Sequence, residues 1–168
     1  MRLKNPNYFC IITSIKMMGV SQMRKKIICL VFLTLLIIPL MLILARTDEI
    51  NQYFKRGVEY TNQEKYDKAI KEFTQVITND KDYANAYLGL GIVYVHKKMN
   101  REAIELLKKA IELDPKENMA YFMLARVYEK LEEDKNAIQL WEKFLTLKPE
   151  EKYVQMAEKH LKRLRAKK

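Results

Sequence analysis

His96 and His160 are the only histidines in this chain. Each stands alone, with no cysteine or second histidine at ligand spacing, so the pattern argues against a metal centre and against a histidine-assisted nucleophile. Glu129, Glu132, Glu133 and Asp134 form a dense run of carboxylates. Nothing beside them supplies a partner for acid–base work, and they read as the solvated end of a helix. Of the two cysteines, Cys10 lies near the N-terminus and Cys29 in an apolar run. With none later, a disulfide framework and cysteine-based zinc sites are excluded. The four glycines form no phosphate-cradling pattern. No enzyme, cofactor, metal site or small-molecule substrate is expected.

Charge narrows the field further. The chain carries net +10, yet six of its 31 basic residues precede residue 27 and six fall in 159–168. The 19 that remain face all 21 acidic residues between 45 and 158, so that stretch is near −2 and the tail +6. A nucleic-acid surface needs a basic stripe along its binding face, so nucleic acid is not an expected partner. The tail reads as a solvated cap, with acidic protein or anionic head groups as the alternative contact.

Residues 27–44, IICLVFLTLLIIPLMLIL, carry no charge over 18 positions, about the minimum for crossing a hydrocarbon core. The run exceeds a usual signal-peptide core, and Ile43 and Ala45 make a poor cleavage site, so residues 23–45 are expected to be an uncleaved signal anchor. Cleavage, giving a secreted protein, is the alternative. Arg24, Lys25 and Lys26 against Arg46 favour a cytoplasmic N-terminus and an extracytoplasmic remainder. Residues 1–22 have no period. Met23 with its following basic residues resembles a true start, which would leave 1–22 upstream of the protein.

The remaining chain repeats itself. Frames at 50–83, 84–117 and 118–151 align without a gap. Tyr53, Tyr87 and Tyr121 share one column; Gly57, Gly91 and Ala125 another; Tyr60, Tyr94 and Tyr128 a third. Ala69, Ala103 and Ala137 are each followed by isoleucine, and then come Phe73, Leu107 and Trp141. Tyr53, Gly57 and Tyr60 lie on one face of a first helix, while Ala69, Phe73, Val76 and Ile77 lie on one face of a second. The small residues permit close helix approach. Asn100 and Asp134 sit where a side-chain oxygen can cap the second helix, and Pro115 and Pro149 suit the first turn of a new one.

This 34-residue unit resembles the tetratricopeptide repeat, whose aromatic, small, Tyr, Ala, aromatic and Pro positions fall at these spacings. The first unit departs from the pattern, with Arg56 where later units have Leu90 and Leu124, and Lys81 in place of the closing proline. The expected fold is all-α: a solenoid of three helix hairpins spanning 46–151, preceded by one transmembrane helix. Residues 152–168 form a capping helix with a basic tail, on the stripe Val154, Ala157, Leu161 and Leu164. The tyrosines are assigned to the core.

The resemblance implies a concave face lined by the second, fifth, ninth and twelfth residues of each frame. These are Asn51, Phe54, Val58 and Thr61; Asn85, Leu88, Ile92 and Val95; Met119, Phe122, Arg126 and Glu129. Co-chaperones of the family grip a carboxylate-ended chaperone tail with Lys and Asn at the fifth and ninth places of the first repeat. Phe54 and Val58 stand there instead, so that activity does not transfer. The groove is expected to be apolar, with Arg126 and Glu129 toward one end, and Phe54, Leu88, Ile92 and Phe122 left exposed to carry binding energy. The expected function is a membrane-anchored scaffold docking a membrane-proximal protein or peptide, in an envelope assembly or secretion complex. A self-associating structural or regulatory subunit of a membrane complex is the alternative.

Overall fold

The computed structural model describes residues 30, 31, 33–35, 37, 38, 41, 42 and 46–167. It comprises two units, Met1–Thr47 and Asp48–Lys168. In the first, the described residues are helical and exposed. Among the described residues no helix is long and apolar enough to cross a membrane. On that finding the expected single-pass topology, with residues 27–44 as its span and the repeats outside the cytoplasm, is corrected. An 18-residue run sits at the lower limit for a span, so apolarity alone leaves it no margin; residues 27–29, 32, 36, 39, 40, 43 and 44 lie outside the described residues. The expectations for residues 1–22 and for the basic residues at 24–26 also fall outside them.

In the second unit, α1 (48–62) is followed by α2 (Tyr66–Asn79), α3 (Ala84–His96), α4 (Asn100–Leu113), α5 (Asn118–Lys130), α6 (Asp134–Thr146) and α7 (Glu151–Ala166). The unit is an all-α solenoid in which each helix packs on its neighbours in sequence, and α3 also reaches α5. Helices α2, α4 and α6 present one apolar face, burying Ala69, Phe73 and Val76; Ala103, Leu107 and Ala110; Ala137, Trp141 and Phe144. Helix α3 (ANAYLGLGIVYVH) is apolar nearly all round, as a helix enclosed by α2, α4 and α5 must be.

Close approach of the helices rests on missing side chains. A Cβ at Gly57 would stand 2.7 Å from Cε1 of Phe73, and one at Gly89 2.6 Å from Cζ of the same ring. Phe73 therefore wedges between α1 and α3 where neither backbone carries a side chain. Gly91 is under similar pressure from Leu107, whose Cγ lies 2.9 Å from the built Cβ position.

The turns inside each hairpin share one device. Glu64, Lys98 and Glu132 adopt φ of 58°, 62° and 60°. The next residue's N–H then reaches back five positions: Lys65 to the Tyr60 carbonyl at 2.8 Å, Met99 to Tyr94 at 2.9 Å, Glu133 to Tyr128 at 2.9 Å. This left-handed C-terminal motif satisfies carbonyls that the ending helix leaves open. It also runs straight into the next helix. Lys65, Met99 and Glu133 become the N-caps, and the expected caps Asn100 and Asp134 are instead the first helical residues, with no side-chain cap bond at either helix. The buried Oδ1 of Asn100 has no hydrogen-bond partner. Between hairpins, Asp80 and Asp114 accept from the N–H groups of Asp82 and Lys116, both at 3.0 Å. Lys148, at φ 53°, turns the chain after α6 instead.

Helix α7 packs on α6 and buries Ala157, Leu161 and Leu164, with Val154 half-buried. Three of its cations, though more than half exposed, meet acids of the preceding helices. Arg165 pairs with Glu142 at 2.7 Å, Lys167 with Asp134 at 3.4 Å, and Arg163 with Glu129. Much of the basic tail is thus matched by acids of α5 and α6.

Candidate functional site

The first helix of each hairpin places its second, fifth, ninth and twelfth residues along one face, because steps of three and four positions return to the same side of a helix. Val58 is exposed on that face at 39%. Phe54, Ile92, Val95 and Met119 are half-buried, and Arg126 is exposed. Leu88, at 9%, and Phe122, at 5%, are packed. The expectation that these two side chains remain exposed is corrected, and the reason is what packs against them: α5 lies beside α3, and Phe122 is covered from α6 and α7. The Phe54 ring leans on Phe73 (centroids 5.8 Å) and on Tyr83 just before α3 (5.3 Å). Phe122 meets Trp141 at 5.2 Å, Phe144 at 5.6 Å and, from α7, Tyr153 at 5.5 Å. The Arg126 guanidinium lies over the same Phe122 ring, 5.7 Å from its centroid.

Glu129 departs furthest from its sequence reading as part of a solvated helix end. Its side chain is only 8% exposed. Trp141 donates its Nε1–H at 2.5 Å, Nδ1 of His160 lies 2.8 Å from Oε1, and Arg163 binds Oε2. His160 in turn stacks on Trp141, centroids 5.0 Å apart and planes 26° apart. A carboxylate removed from water needs its lone pairs filled, and here α6 and α7 fill them. The cluster clasps three helices together. Its oxygens are turned to fixed donors, which suits a structural carboxylate rather than a general base. His96 has a stacking partner too, Tyr66 at 5.4 Å.

Of the column tyrosines, Tyr121 is buried, whereas Tyr53, Tyr60, Tyr87, Tyr94 and Tyr128 are half-buried. Burial raises the pKa of the Tyr121 phenol, which donates to the Pro115 carbonyl at 3.3 Å. Tyr121 and Tyr128 also floor a cleft of about 310 Å³ between α4, α5 and α6, rimmed by Lys108 and Lys143. On the α7 side a second cleft, about 540 Å³, is bounded by Met156, Lys159, His160 and Arg163. Among the described residues no group of three or more His, Cys, Asp or Glu side chains is placed to hold a metal ion.

Position in the frame is the sequence signal that would have found the α7 contribution. Extending the 34-residue frame to 152 puts Tyr153, Met156, His160 and Arg163 at its second, fifth, ninth and twelfth places. Arg163 is therefore the frame equivalent of Glu129, one unit on, and the two side chains meet.

Two models described as tetratricopeptide repeat match the chain, one over residues 61–117 and the other over 100–151. No curated protein matches it. Among solved structures, the Arabidopsis OM64 TPR domain is 22% identical, with 72% of this chain and 98% of that one covered at a TM-score of 0.66. The Yersinia enterocolitica type III secretion chaperone SycD, in complex with a peptide of the translocator YopD, is 19% identical, with 71% and 95% covered at 0.68. The TPR2B domain of yeast Sti1, in a complex with an Hsp70 species, is 20% identical, with 71% and 98% covered at 0.65.

Proposed function

Because the chain carries tetratricopeptide repeats across residues 61–151, we propose that residues 48–167 form a non-catalytic docking module that receives a protein segment on the face built by α1, α3 and α5. The observation that carries this reading is an apolar strip left open beside a closed core: Val58 exposed, with Phe54, Ile92, Val95 and Met119 half-exposed next to it in one register. Apolar area that stays in water in the free protein is what a partner removes from water on binding. The peptide complex of SycD, built on the same fold, supports a peptide as the class of ligand. Phe54 and Val58 at the fifth and ninth places speak against a carboxylate-ended chaperone tail as that peptide.

Leu88, Phe122 and Glu129 act here as the floor that holds the open residues in place, and Arg126 borders the strip. Selection of a random dodecapeptide library on the intact chain, repeated with a Val58→Asp, Ile92→Asp variant, tests the reading. Binders of the parent chain should be lost on the variant at an unchanged melting temperature. Binders indifferent to both substitutions would refute the groove. A mass that rises with concentration in sedimentation, abolished by the same variant, would assign the strip to a second copy of the chain instead.

A further inference from the structure

The concave face does not stop at α5. Tyr153 of α7 packs on Phe122 of α5, and His160 and Arg163 bind Glu129. Side chains at the same register positions of α7 thus reach those of α5, although these two backbones do not come within 8 Å of each other as those of α3 and α5 do. Met156, at the fifth place, is 41% exposed and opens onto the cleft of about 540 Å³ with Lys159, His160 and Arg163. Charge along this extended face is graded. The eight register positions on α1 and α3 are Asn51, Phe54, Val58, Thr61, Asn85, Leu88, Ile92 and Val95, with no charge among them. On α5 and α7 stand Arg126, Glu129, His160 and Arg163, with Lys159 at the cleft rim. The single acid in that set is 8% exposed and already bound by three donors, so it offers an incoming ligand almost nothing. The exposed groups at this end are cations: Arg126 over Phe122, and Lys159, which has no ion pair among the described residues.

Resting on the docking reading above, we propose that α7 is a fourth wall of the groove and that the occupant is an acidic, amphipathic peptide segment. Its aliphatic residues lie against Val58, Ile92 and Val95, and its carboxylates lie toward Arg126 and Lys159. The cap thereby has two roles on two faces. Ala157, Leu161 and Leu164 close the core, while Met156 and Lys159 extend the binding surface. Complementary charge at one end of an otherwise neutral groove also sets the direction in which a segment lies.

A dodecapeptide library displayed on phage, panned on the full chain, provides the test. Selected binders should carry aliphatic residues in one half and Asp or Glu in the other. Arg126→Glu with Lys159→Glu should weaken a selected, labelled peptide roughly tenfold or more, because two attractions become repulsions, and raising NaCl should weaken the parent complex. Both side chains are exposed, so the melting temperature should hold. Replacing the peptide's carboxylates by amides should abolish its sensitivity to the double reversal. Neutral binders that require Val58 and Ile92 but ignore the reversal would overturn the acidic occupant and leave the groove standing. Binders that ignore Val58 and Ile92 would remove the groove itself.

Discussion

Phe73 in the first hairpin and Trp141 in the third occupy the same column of the repeat, 68 residues apart, and the molecule seats them by different means. Phe73 fits because Gly57 and Gly89 withdraw their side chains, leaving the ring against bare backbone. In the third hairpin Ala125 takes the column of Gly57, and the indole N–H of Trp141 is answered by Glu129, which α7 holds in place through His160 and Arg163. The seat of Phe73 is tuned by volume. The other seat couples volume to a buried polar network that exists only because a further helix covers it. A repeat column therefore specifies where bulk must go, while the neighbours decide what makes the bulk fit.

The sharpest break in this comparison is to empty both seats. Phe73→Ala and Trp141→Ala should each cost roughly 3–5 kcal/mol in denaturant unfolding, since each ring is almost fully buried. Equal costs would show that volume dominates at both ends. A larger cost at Trp141, with loss of α7 protection in hydrogen exchange, would show that the polar network is coupled to it.

Glu129→Gln isolates the network. It keeps the shape but removes the charge that Arg163 and His160 answer, and about 1–3 kcal/mol should be lost. Arg163 is 60% exposed, which places the value at the lower end. In the first hairpin the Arg56–Glu72 pair, at 2.9 Å, joins α1 to α2 without a third helix. An unchanged melting temperature for Glu129→Gln would mean that α7 is held by Ala157, Leu161 and Leu164 alone.

Gly89→Ala tests the volume mechanism. Alanine usually stabilises a helix interior by up to about 1 kcal/mol over glycine, but here its Cβ would press on a rigid, buried ring. A net destabilisation of about 1–2 kcal/mol is expected, and Phe73→Leu in the same chain should relieve part of it. A gain in stability from Gly89→Ala would show that the ring can move aside.

The smallest effect concerns the turn that both ends share. Lys98→Gly should raise stability by less than about 1 kcal/mol, because glycine adopts φ of 62° without the side-chain clash that lysine carries there. Thermal melts of Lys98→Gly beside Lys97→Gly, whose φ is −74°, give the comparison. Only the former should gain.

Much of the array was legible because its signals are local. The columns Tyr53/Tyr87/Tyr121 and Ala69/Ala103/Ala137 repeat at a fixed interval, and helical spacing places each set on one face. The left-handed residues were not legible, since Glu64, Lys98 and Glu132 are poor formers of that conformation and no glycine marks the turn. Nor was the fate of Asn100: a capping side chain at the start of a helix is a good sign only when the preceding backbone leaves it that place. The apolar run at 27–44 was read as a span from hydropathy alone, and at 18 residues it stood at the minimum length for one.

Composition and period by themselves determined that residues 48–167 are paired helices, which side of each is apolar, and that small residues recur where helices meet. Only the tertiary structure decided which apolar residues stay open. Phe122 and Val58 both belong to the face implied by the repeat, yet Phe122 is covered by Trp141 and Phe144 of α6 and Tyr153 of α7 while Val58 stays exposed. Likewise Glu129 is one more carboxylate in an acidic run until Arg163, 34 residues on, reaches it. The physical reason is that periodicity is a property of one helix, whereas burial is a property of what lies against it. Contacts between successive repeats are made by residues too far apart in the chain for any local pattern to record.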